Sequence, residues 1–156
     1  MKSRIEQPTI VIDGRNAQRN YEGERCPDCL LRIVEEFEEF RKIVVLPHWT
    51  NTELAKQVRE LARLQFVDVT NDPEWDDKMV LALCMFEDGY YVSNDARMFK
   101  HLNGSLVDRD WCASRRIGFQ FDPEGNLSFH YPNSWHVNIA SLESGICSQL
   151  IEREVR

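Results

Sequence analysis

Aspartates stand at the ends of two apolar runs and at the start of a third. Asp13 closes the run IVID, and Asp95 follows the short run YYVS. Asp76 and Asp77 open the helix-like run WDDKMVLALCMF. Clustered carboxylates repel one another unless a cation or protons lie between them. If the fold brings these side chains together, a metal ion is the simplest explanation for them.

Carboxylate oxygens are hard ligands that suit Mg²⁺ or Mn²⁺, which keep several waters and accept substrate phosphate oxygens as further ligands. One or two such ions lower the pKa of a bound water and neutralise charge on a phosphodiester. The sequence has no comparable nucleophile built from serine, cysteine and histidine, and no glycine-rich phosphate loop. These residues therefore predict metal-assisted hydrolysis of a phosphodiester.

Each carboxylate also has an ordinary structural interpretation. Asp13 can cap the loop after its strand, and Asp95 can nucleate an Asx turn. The adjacent pair at 76 and 77 suits the first turn of a helix, where the dipole favours negative charge. Joint placement at one edge of a sheet favours the metal site over these readings. Three neighbouring residues either orient ligands or serve as turn residues: Asn16, Ser93 and Asn94.

An alternation of strands and helices positions the aspartates. Strands are predicted at 8–13, 43–47, 66–70 and 90–93. Helices with an apolar stripe are predicted at 29–42 and 52–64, and an apolar helix begins at about 75. Thr50 or Asn51 is expected to cap the second helix, and Leu54, Val58, Leu61 and Leu64 form its apolar stripe. Such alternation predicts right-handed crossovers and a mostly parallel sheet. Ligand sites of these sheets lie beyond the carboxyl ends of the strands, where all four aspartates can converge.

The remainder of the chain predicts an extension of this core. ARMFKHL is a short helix or turn, and DRDWCASRR forms another helical turn. RIGFQFD, PEGN and LSFHY together predict a β-hairpin. A further strand at 135–139 and a terminal helix within 140–156 complete the pattern.

Composition indicates one globular domain. The chain has 156 residues, of which 42% are hydrophobic and 29% charged, and its net charge is −7. It lacks a transmembrane span and an apolar signal core, so we expect an intracellular protein of the cytoplasm, nucleus or mitochondria, away from membranes. The acidic balance argues against a self-sufficient nucleic-acid binder. RNA-contacting candidates near the predicted site are Arg15, Asn16, Arg97, Lys100, Arg115 and Arg116, although a solvated face also explains such scattered cations.

The five cysteines do not predict a disulfide framework. Cys26 and Cys29 form a CxxC pair that suits a redox pair or half of a zinc site, and His136 with Cys147 could complete such a site. Packing at a helix start is the plainer interpretation of the pair.

Four motifs carry a resemblance in their order and spacing: IVIDGRN, LPHW, WDDKMV and YVSND. From about Thr9 to His101 the chain resembles the NYN branch of the PIN-like metallonucleases. Regnase-type endoribonucleases share the VIDGxN, PxW, DD and VSND pattern, and protein-only RNase P shares the aspartates. The segment from Trp111 to Gly145 is similar to the one that follows the active site of protein-only RNase P. Its matching positions are Trp111, Ile117, Phe119, Leu127, Pro132, Trp135, Val137 and Ile139.

The resemblance implies a Rossmann-like, three-layer PIN/NYN α/β fold with a mostly parallel central sheet and a C-terminal β-hairpin extension. One domain would span residues 1–156, with its core at about 8–102 and the hairpin and terminal helix at about 108–156. The resemblance also implies a metal-dependent endoribonuclease that leaves 5′-phosphate and 3′-hydroxyl ends. The family's metal-binding aspartates match Asp13, Asp76, Asp77 and Asp95.

The chain departs from this family at three points. Phe99 stands where the family commonly has a further acidic residue, and CPDC follows the first strand whereas the family's zinc-binding CxxC precedes it. The helical-repeat RNA-binding domain of protein-only RNase P is missing, so we expect either an excised or minimal catalytic domain or a partner protein that supplies RNA affinity. The alternative function is a non-catalytic NYN-fold subunit that binds RNA or protein in a larger ribonucleoprotein or silencing complex.

Overall fold

The computed structural model describes residues 7–101 and 108–135. Within these ranges the chain is an α/β fold with one six-stranded sheet and four helices. The strands are β1 (Ile10–Asp13), β2 (Lys42–Pro47), β3 (Arg63–Val67), β4 (Tyr90–Val92), β5 (Arg116–Phe121) and β6 (Leu127–His130). The helices are α1 (Pro27–Glu36), α2 (Thr52–Arg59), α3 (Trp75–Glu87) and α4 (Arg109–Arg115), and a 3₁₀ helix spans Met98–His101.

The sheet is mostly parallel, as the alternation of strands and helices predicts. Its strand order is β3-β2-β1-β4-β5-β6, and every neighbouring pair is parallel except the last. β5 and β6 form the antiparallel hairpin that the sequence predicts, with Phe119 opposite Phe129. The turn between them contains Gly125 at a φ of 88°, a left-handed conformation that glycine adopts readily.

Helices cover both faces of the sheet. Successive side chains of a strand point to opposite faces, so Ile12 and Val11 of β1 enter different clusters. Ile12 packs in a core that includes Leu30 of α1 and Leu54 of α2. Val11 packs in a second core that includes Leu81 of α3. The described residues therefore form three layers, which is compatible with a Rossmann-like arrangement.

The first helix is shorter than its apolar pattern predicts. The pattern continues to residue 42, but α1 ends at Glu36, and Phe37 leaves the helix with its side chain still buried. Lys42 explains part of the difference, because its ammonium group donates hydrogen bonds to the carbonyl oxygens of Phe37 and Glu38 at 3.0 and 3.3 Å. Lys42, at the start of β2, thus provides hydrogen-bond donors for carbonyl oxygens that follow the end of α1.

The second helix ends earlier, and the third strand begins earlier, than the sequence predicts. Asn51 caps α2 as predicted, since its side chain accepts hydrogen bonds from two backbone N–H groups. The helix nevertheless ends at Arg59, and β3 begins at Arg63 instead of Phe66. Leu64 pairs with Val44 of β2 rather than continuing a helical stripe. Strand pairing overrides the helical period here, and Leu61 is left 37% exposed.

The region after β4 follows the predicted sequence of short elements. The 3₁₀ helix and α4 occupy the two segments that predict helical turns. Trp135 is buried, but the rest of the predicted strand at 135–139 and the predicted terminal helix lie outside the described residues. None of the helices in the described ranges combines the length and apolarity needed to span a bilayer.

Candidate metal centre

The order in which the chain adds strands to the sheet reverses between β1 and β4. The chain moves outward from β1 through β2 to β3 and then returns to the other side of β1 with β4. A crevice at the carboxyl ends of the strands forms at such a switch point and commonly holds the ligand of an open α/β sheet. Asp13 is the last residue of β1, and Ser93 follows β4 directly.

Asp13 lies at this switch point, at the carboxyl end of β1. Its side chain is 2% exposed, and its Oδ2 accepts a hydrogen bond from the Ser93 hydroxyl at 2.9 Å. Burial raises the pKa of Asp13 to about 7, and the nearby charge of Asp77 adds to the rise, whereas the Ser93 hydrogen bond opposes it. A proton or a cation is therefore needed to keep this carboxylate stable in place.

The backbone after Asp13 is held against β2. Gly14 donates its N–H to the Val45 carbonyl oxygen at 2.8 Å. A Cβ at Gly14 would lie 2.5 Å from that oxygen, so only glycine permits this close approach. This close approach of the chain to β2 explains why glycine follows the aspartate.

Asp76 is 1% exposed and forms a bidentate ion pair with Arg15. The Arg15 Nε donates to Asp76 Oδ2 at 2.8 Å, and Nη2 donates to Oδ1 at 2.5 Å. These hydrogen bonds raise the pKa of Arg15 above its usual value. The pairing also connects the loop after β1 with the first turn of α3, which are 61 residues apart in the sequence.

Three of the four predicted carboxylates come together. One oxygen each from Asp13, Asp76 and Asp77 lie within 4.8 Å of one another, and Asp77 is half-buried. β1 delivers the first of these side chains, and the first turn of α3 delivers the other two. α3 runs in the direction opposite to the strands. It begins at the carboxyl edge of the sheet and ends at the amino edge, where the Tyr90 N–H donates to the Thr9 carbonyl oxygen.

This donor set fits a hard divalent ion. Ligands on opposite sides of one Mg²⁺ lie up to about 4.2 Å apart, which is close to the oxygen spacing in the cluster. All three ligands are carboxylate oxygens, the type that Mg²⁺ and Mn²⁺ prefer. Asp13, Asp76 and Asp77 are thus the residues positioned to hold such an ion.

The fourth predicted carboxylate, Asp95, lies outside that group of three. Its Oδ1 accepts the Arg97 N–H at 2.9 Å in an Asx turn, and its own N–H donates to the Ser93 hydroxyl oxygen at 3.1 Å. Asp95 therefore connects to Asp13 through Ser93, and its predicted contact with a metal ion stays a prediction.

Asn16 and Asn94 hold the two loops of the crevice together. The Asn16 side-chain oxygen accepts the Asn94 N–H at 2.8 Å. The Asn94 amide then pairs with the backbone of Phe119 in both directions, at 2.9 and 3.0 Å. Asn94 extends the hydrogen bonding between β4 and β5 beyond the end of the strand, which explains an asparagine at this position.

The predicted RNA-contacting cations occupy different parts of the molecule. Arg97 and Lys100 are exposed beyond the end of β4. Arg116 Nη1 donates to the Ser93 carbonyl oxygen at 3.1 Å, so its guanidinium reaches the same edge as Asp13. Arg115 instead bonds to the Gly89 carbonyl oxygen and the Asp88 carboxylate, at the amino edge of the sheet. That position separates Arg115 from the carboxylate cluster.

The CxxC pair lies at the start of α1. Cys26 is the residue before the helix and Cys29 is buried within it. Burial raises the pKa of Cys29 to about 12, with a further contribution from its hydrogen bond to Cys26, so the reactive thiolate is disfavoured. Of the described residues, only the aspartate cluster groups three possible metal ligands. His136 and Cys147, the other half of the suggested zinc set, lie outside the described residues.

Two exposed tryptophans at the carboxyl edge were not among the predicted site residues. Trp75 precedes Asp76 and is 44% exposed, and Trp49 follows β2 and is 53% exposed. Lys78 Nζ lies 5.8 Å from the centre of the Trp75 ring. An aromatic residue directly before the aspartate pair, and another just after a strand end, are the sequence signals that could have indicated them.

No protein-family model matches the chain, and no curated protein matches it in sequence.

Proposed function

We propose that this chain is a metal-dependent endoribonuclease of the NYN branch of the PIN-like fold. The observation that carries the proposal is the convergence of Asp13, Asp76 and Asp77 at the switch point of a parallel sheet, with two of the three side chains almost completely buried. Burying carboxylates next to one another is unfavourable unless a cation compensates them. The location, the ligand chemistry and the motif resemblance support the same activity.

The residues of the cluster and the two loops beside it have different roles. Asp13, Asp76 and Asp77 would bind Mg²⁺ or Mn²⁺. Asp95 would contribute a further carboxylate from the loop that is connected to Asp13 through Ser93. A bound ion would lower the pKa of a water molecule and neutralise charge on the scissile phosphodiester. Ser93 and Asn16 hold the Asp13 carboxylate in one orientation, because Ser93 donates to one oxygen and the Asn16 N–H to the other.

RNA would approach across the carboxyl edge of the sheet. Trp49 and Trp75 offer exposed rings on which unpaired bases can stack, a mode of binding that does not require a basic surface. Arg97, Lys100 and Arg116 add positive charge at this edge. Because the net charge of −7 weakens the electrostatic attraction to phosphates, we infer that a protein partner supplies additional RNA affinity inside the cell.

The test is cleavage of labelled single-stranded and structured RNA with Mg²⁺ or Mn²⁺, compared with EDTA. Wild-type protein is expected to cut internally and leave 5′-phosphate ends, and Asp13→Asn and Asp77→Asn are expected to be inactive. Asp110→Asn, at an exposed position of α4, is the matched control and retains activity. Equal activity in all four proteins would point to a contaminating nuclease.

A second candidate function is a non-catalytic NYN-fold subunit that binds RNA or protein. The Arg15–Asp76 ion pair favours it, since this pair neutralises one buried carboxylate without any metal. The two candidates differ in one outcome. A folded protein that binds RNA but cleaves none of the substrates, with either ion and with partner proteins added, would support the second candidate.

A further inference from the structure

Arg116 and Gly118 lie on the same side of the sheet as the carboxylate cluster. Ile117, which lies between them in β5, packs in the core that α1 and α2 cover, so its two neighbours face the α3 side. Val11 packs in the core that α3 covers, and Asp13, two residues later in β1, faces the same side. The two residues of β5 and the first carboxylate of the cluster therefore share one surface of the sheet.

The Arg116 side chain extends along this surface toward the carboxyl edge. Arg116 is in register with Tyr91, but its Nη1 donates to the carbonyl oxygen of Ser93, two residues further along the chain, at 3.1 Å. β4 lies between β5 and β1, and neighbouring strands are about 4.8 Å apart, so β5 and β1 are separated by roughly 10 Å. The Ser93 contact brings the guanidinium into this interval, beside the residue whose hydroxyl binds Asp13.

Gly118 leaves the space in which the guanidinium lies. A Cβ at residue 118 would be 3.2 Å from Arg116 Nη1 and 3.4 Å from Asn94 Oδ1. The first distance is tighter than an ordinary contact, so a side chain at this position would push the guanidinium away from Ser93. Gly118 does not adopt a left-handed conformation, and space is therefore the physical reason for a glycine here.

Arg116 and Arg15 differ in how their charges are balanced. Arg15 donates to both oxygens of Asp76 and to the Pro73 carbonyl oxygen. Arg116 donates to a neutral carbonyl oxygen, and within the described ranges no carboxylate forms an ion pair with it. A guanidinium has five N–H donors in a planar arrangement that matches the oxygens of a phosphate. Arg116 thus presents a positive charge and further donors beside the cluster.

We propose that Arg116 binds a phosphate oxygen of the RNA next to the carboxylate cluster, with its guanidinium held there by the Ser93 carbonyl oxygen and the space at Gly118. This inference rests on the proposed function, whose substrate is a phosphodiester. The phosphate lies between the cluster on β1 and the guanidinium beside β5. Arg116 is the residue that touches the substrate, and Gly118 is a positioning residue that acts through it.

Fluorescence anisotropy with labelled single-stranded RNA tests the role of Arg116 without measuring cleavage. All proteins carry Asp77→Asn to prevent cleavage, and binding is measured at several salt concentrations. Arg116→Gln is expected to weaken binding roughly tenfold or more, because a hydrogen bond to a charged group is lost. It should also reduce the slope of log affinity against log salt by about 0.7, the value for one phosphate contact to a single strand.

Two further variants separate charge from geometry. Arg116→Lys keeps the charge and is expected to retain the salt slope, but it should lose affinity because an ammonium group lacks the planar fork. Arg63→Gln is the matched control, since it makes the same charge change at an exposed residue at the start of β3, on the amino edge of the sheet. Its affinity and salt slope should stay close to those of the parent protein.

Gly118→Ala tests the positioning role. The added methyl group displaces the end of a flexible side chain, so the fold should remain intact, which the urea midpoint of unfolding checks. RNA affinity is expected to fall, as in Arg116→Gln. In the double variant the alanine should cause no additional loss, because both changes remove the same contact. An equal loss from Gly118→Ala with and without Arg116 would overturn its action through this arginine.

The outcomes distinguish this inference from the proposed nuclease. If Arg116→Gln matches Arg63→Gln in affinity and salt slope, the phosphate contact of Arg116 is overturned, whereas metal-dependent cleavage by wild type still supports the nuclease. If Arg116→Gln shows the expected losses but wild type cleaves no RNA, the phosphate site is supported in a protein that binds RNA without cutting it. Failure of the Asp77→Asn parent to bind RNA at low salt would remove the inference.

Discussion

The Ser93 hydroxyl donates a buried 2.9 Å hydrogen bond to Asp13 Oδ2, joining residues that are 80 positions apart. This contact links the ends of β1 and β4, the two strands that flank the crevice. Ser93 also accepts the Asp95 N–H, so one side chain connects two of the predicted carboxylate positions. The orientation of Asp13 therefore depends on the pairing of the two strands as well as on its own loop.

Removal of this hydroxyl should destabilise the fold. We expect Ser93→Ala to lower the free energy of unfolding by about 1–3 kcal/mol, the usual effect of leaving a buried polar group without its hydrogen bond. Urea denaturation followed by fluorescence measures the change. Ser128→Ala, on the exposed side of β6, is the control and should alter stability by less than about 0.5 kcal/mol. Equal effects of the two substitutions would contradict this role of Ser93.

Asp13 should make stability in metal-free buffer depend on pH. Its pKa is about 7 in the folded protein and about 3.9 in an unfolded chain. The folded state holds the proton more tightly, so the contribution of Asp13 to stability is complete below about pH 4 and is lost as the pH rises through 7. Asp13→Asn lacks this titration and should gain stability relative to wild type across that range.

Unfolding curves at several pH values in EDTA measure that difference. It should reach a few kcal/mol at pH 8, since one pKa unit corresponds to about 1.4 kcal/mol. Mg²⁺ at pH 8 should narrow the difference, because the ion takes the place of the proton in the wild-type cluster. A difference between Asp13→Asn and wild type that does not change with pH would argue against the raised pKa of Asp13.

The two adjacent aspartates of α3 should respond differently to neutralisation. Relief of repulsion between carboxylates would by itself favour Asp76→Asn, but the ion pair of Asp76 with Arg15 reverses that expectation. We expect Asp76→Asn to destabilise the metal-free protein by about 1–2 kcal/mol, a reduced value because Arg15 is partly exposed. Asp77→Asn should cost less stability than Asp76→Asn, because removing its charge relieves the repulsion that raises the pKa of the buried Asp13. Denaturant midpoints of unfolding in EDTA show which of the two variants is less stable. A lower midpoint for Asp77→Asn than for Asp76→Asn would refute the structural role of the Arg15–Asp76 pair.

The exposed tryptophans should contribute to RNA affinity. Trp49→Ala and Trp75→Ala are each expected to weaken binding of single-stranded RNA by about 1–3 kcal/mol, the range for one base stacked on an aromatic ring. Fluorescence anisotropy measures the binding, and an Asp77→Asn background prevents cleavage of the RNA during the measurement. Phe86→Ala is the control, because Phe86 is 84% exposed but lies near the amino-edge end of the same helix. An equal loss of RNA affinity in Phe86→Ala would show that binding does not depend on the edge of the sheet that carries the aspartates.

Much of this architecture follows from the sequence alone. The sequence predicts the alternation of strands and helices. A strand that is buried on both faces is a continuous apolar run, as at β1 and β2, and a helix that is buried along one stripe has apolar residues at helical spacing, as in α1. The Asn51 cap and the β5–β6 turn are local signals, and both agree with the structure. The aspartate at the end of β1 and the pair at the start of α3 were predicted as site residues from the same local features.

Other features exist only because distant segments meet. α2 ends before the predicted residue 64 because pairing with β2 places Leu64 in a strand, and helical periodicity holds no information on that contact. The Arg15–Asp76 pair spans 61 residues, and the crevice itself exists because β4 lies beside β1 and not beside β3. Local sequence determined which residues are acidic and which segments are strands or helices. Strand order and long-range hydrogen bonding decided that Asp13, Asp76 and Asp77 form one cluster and that Asp95 lies outside it.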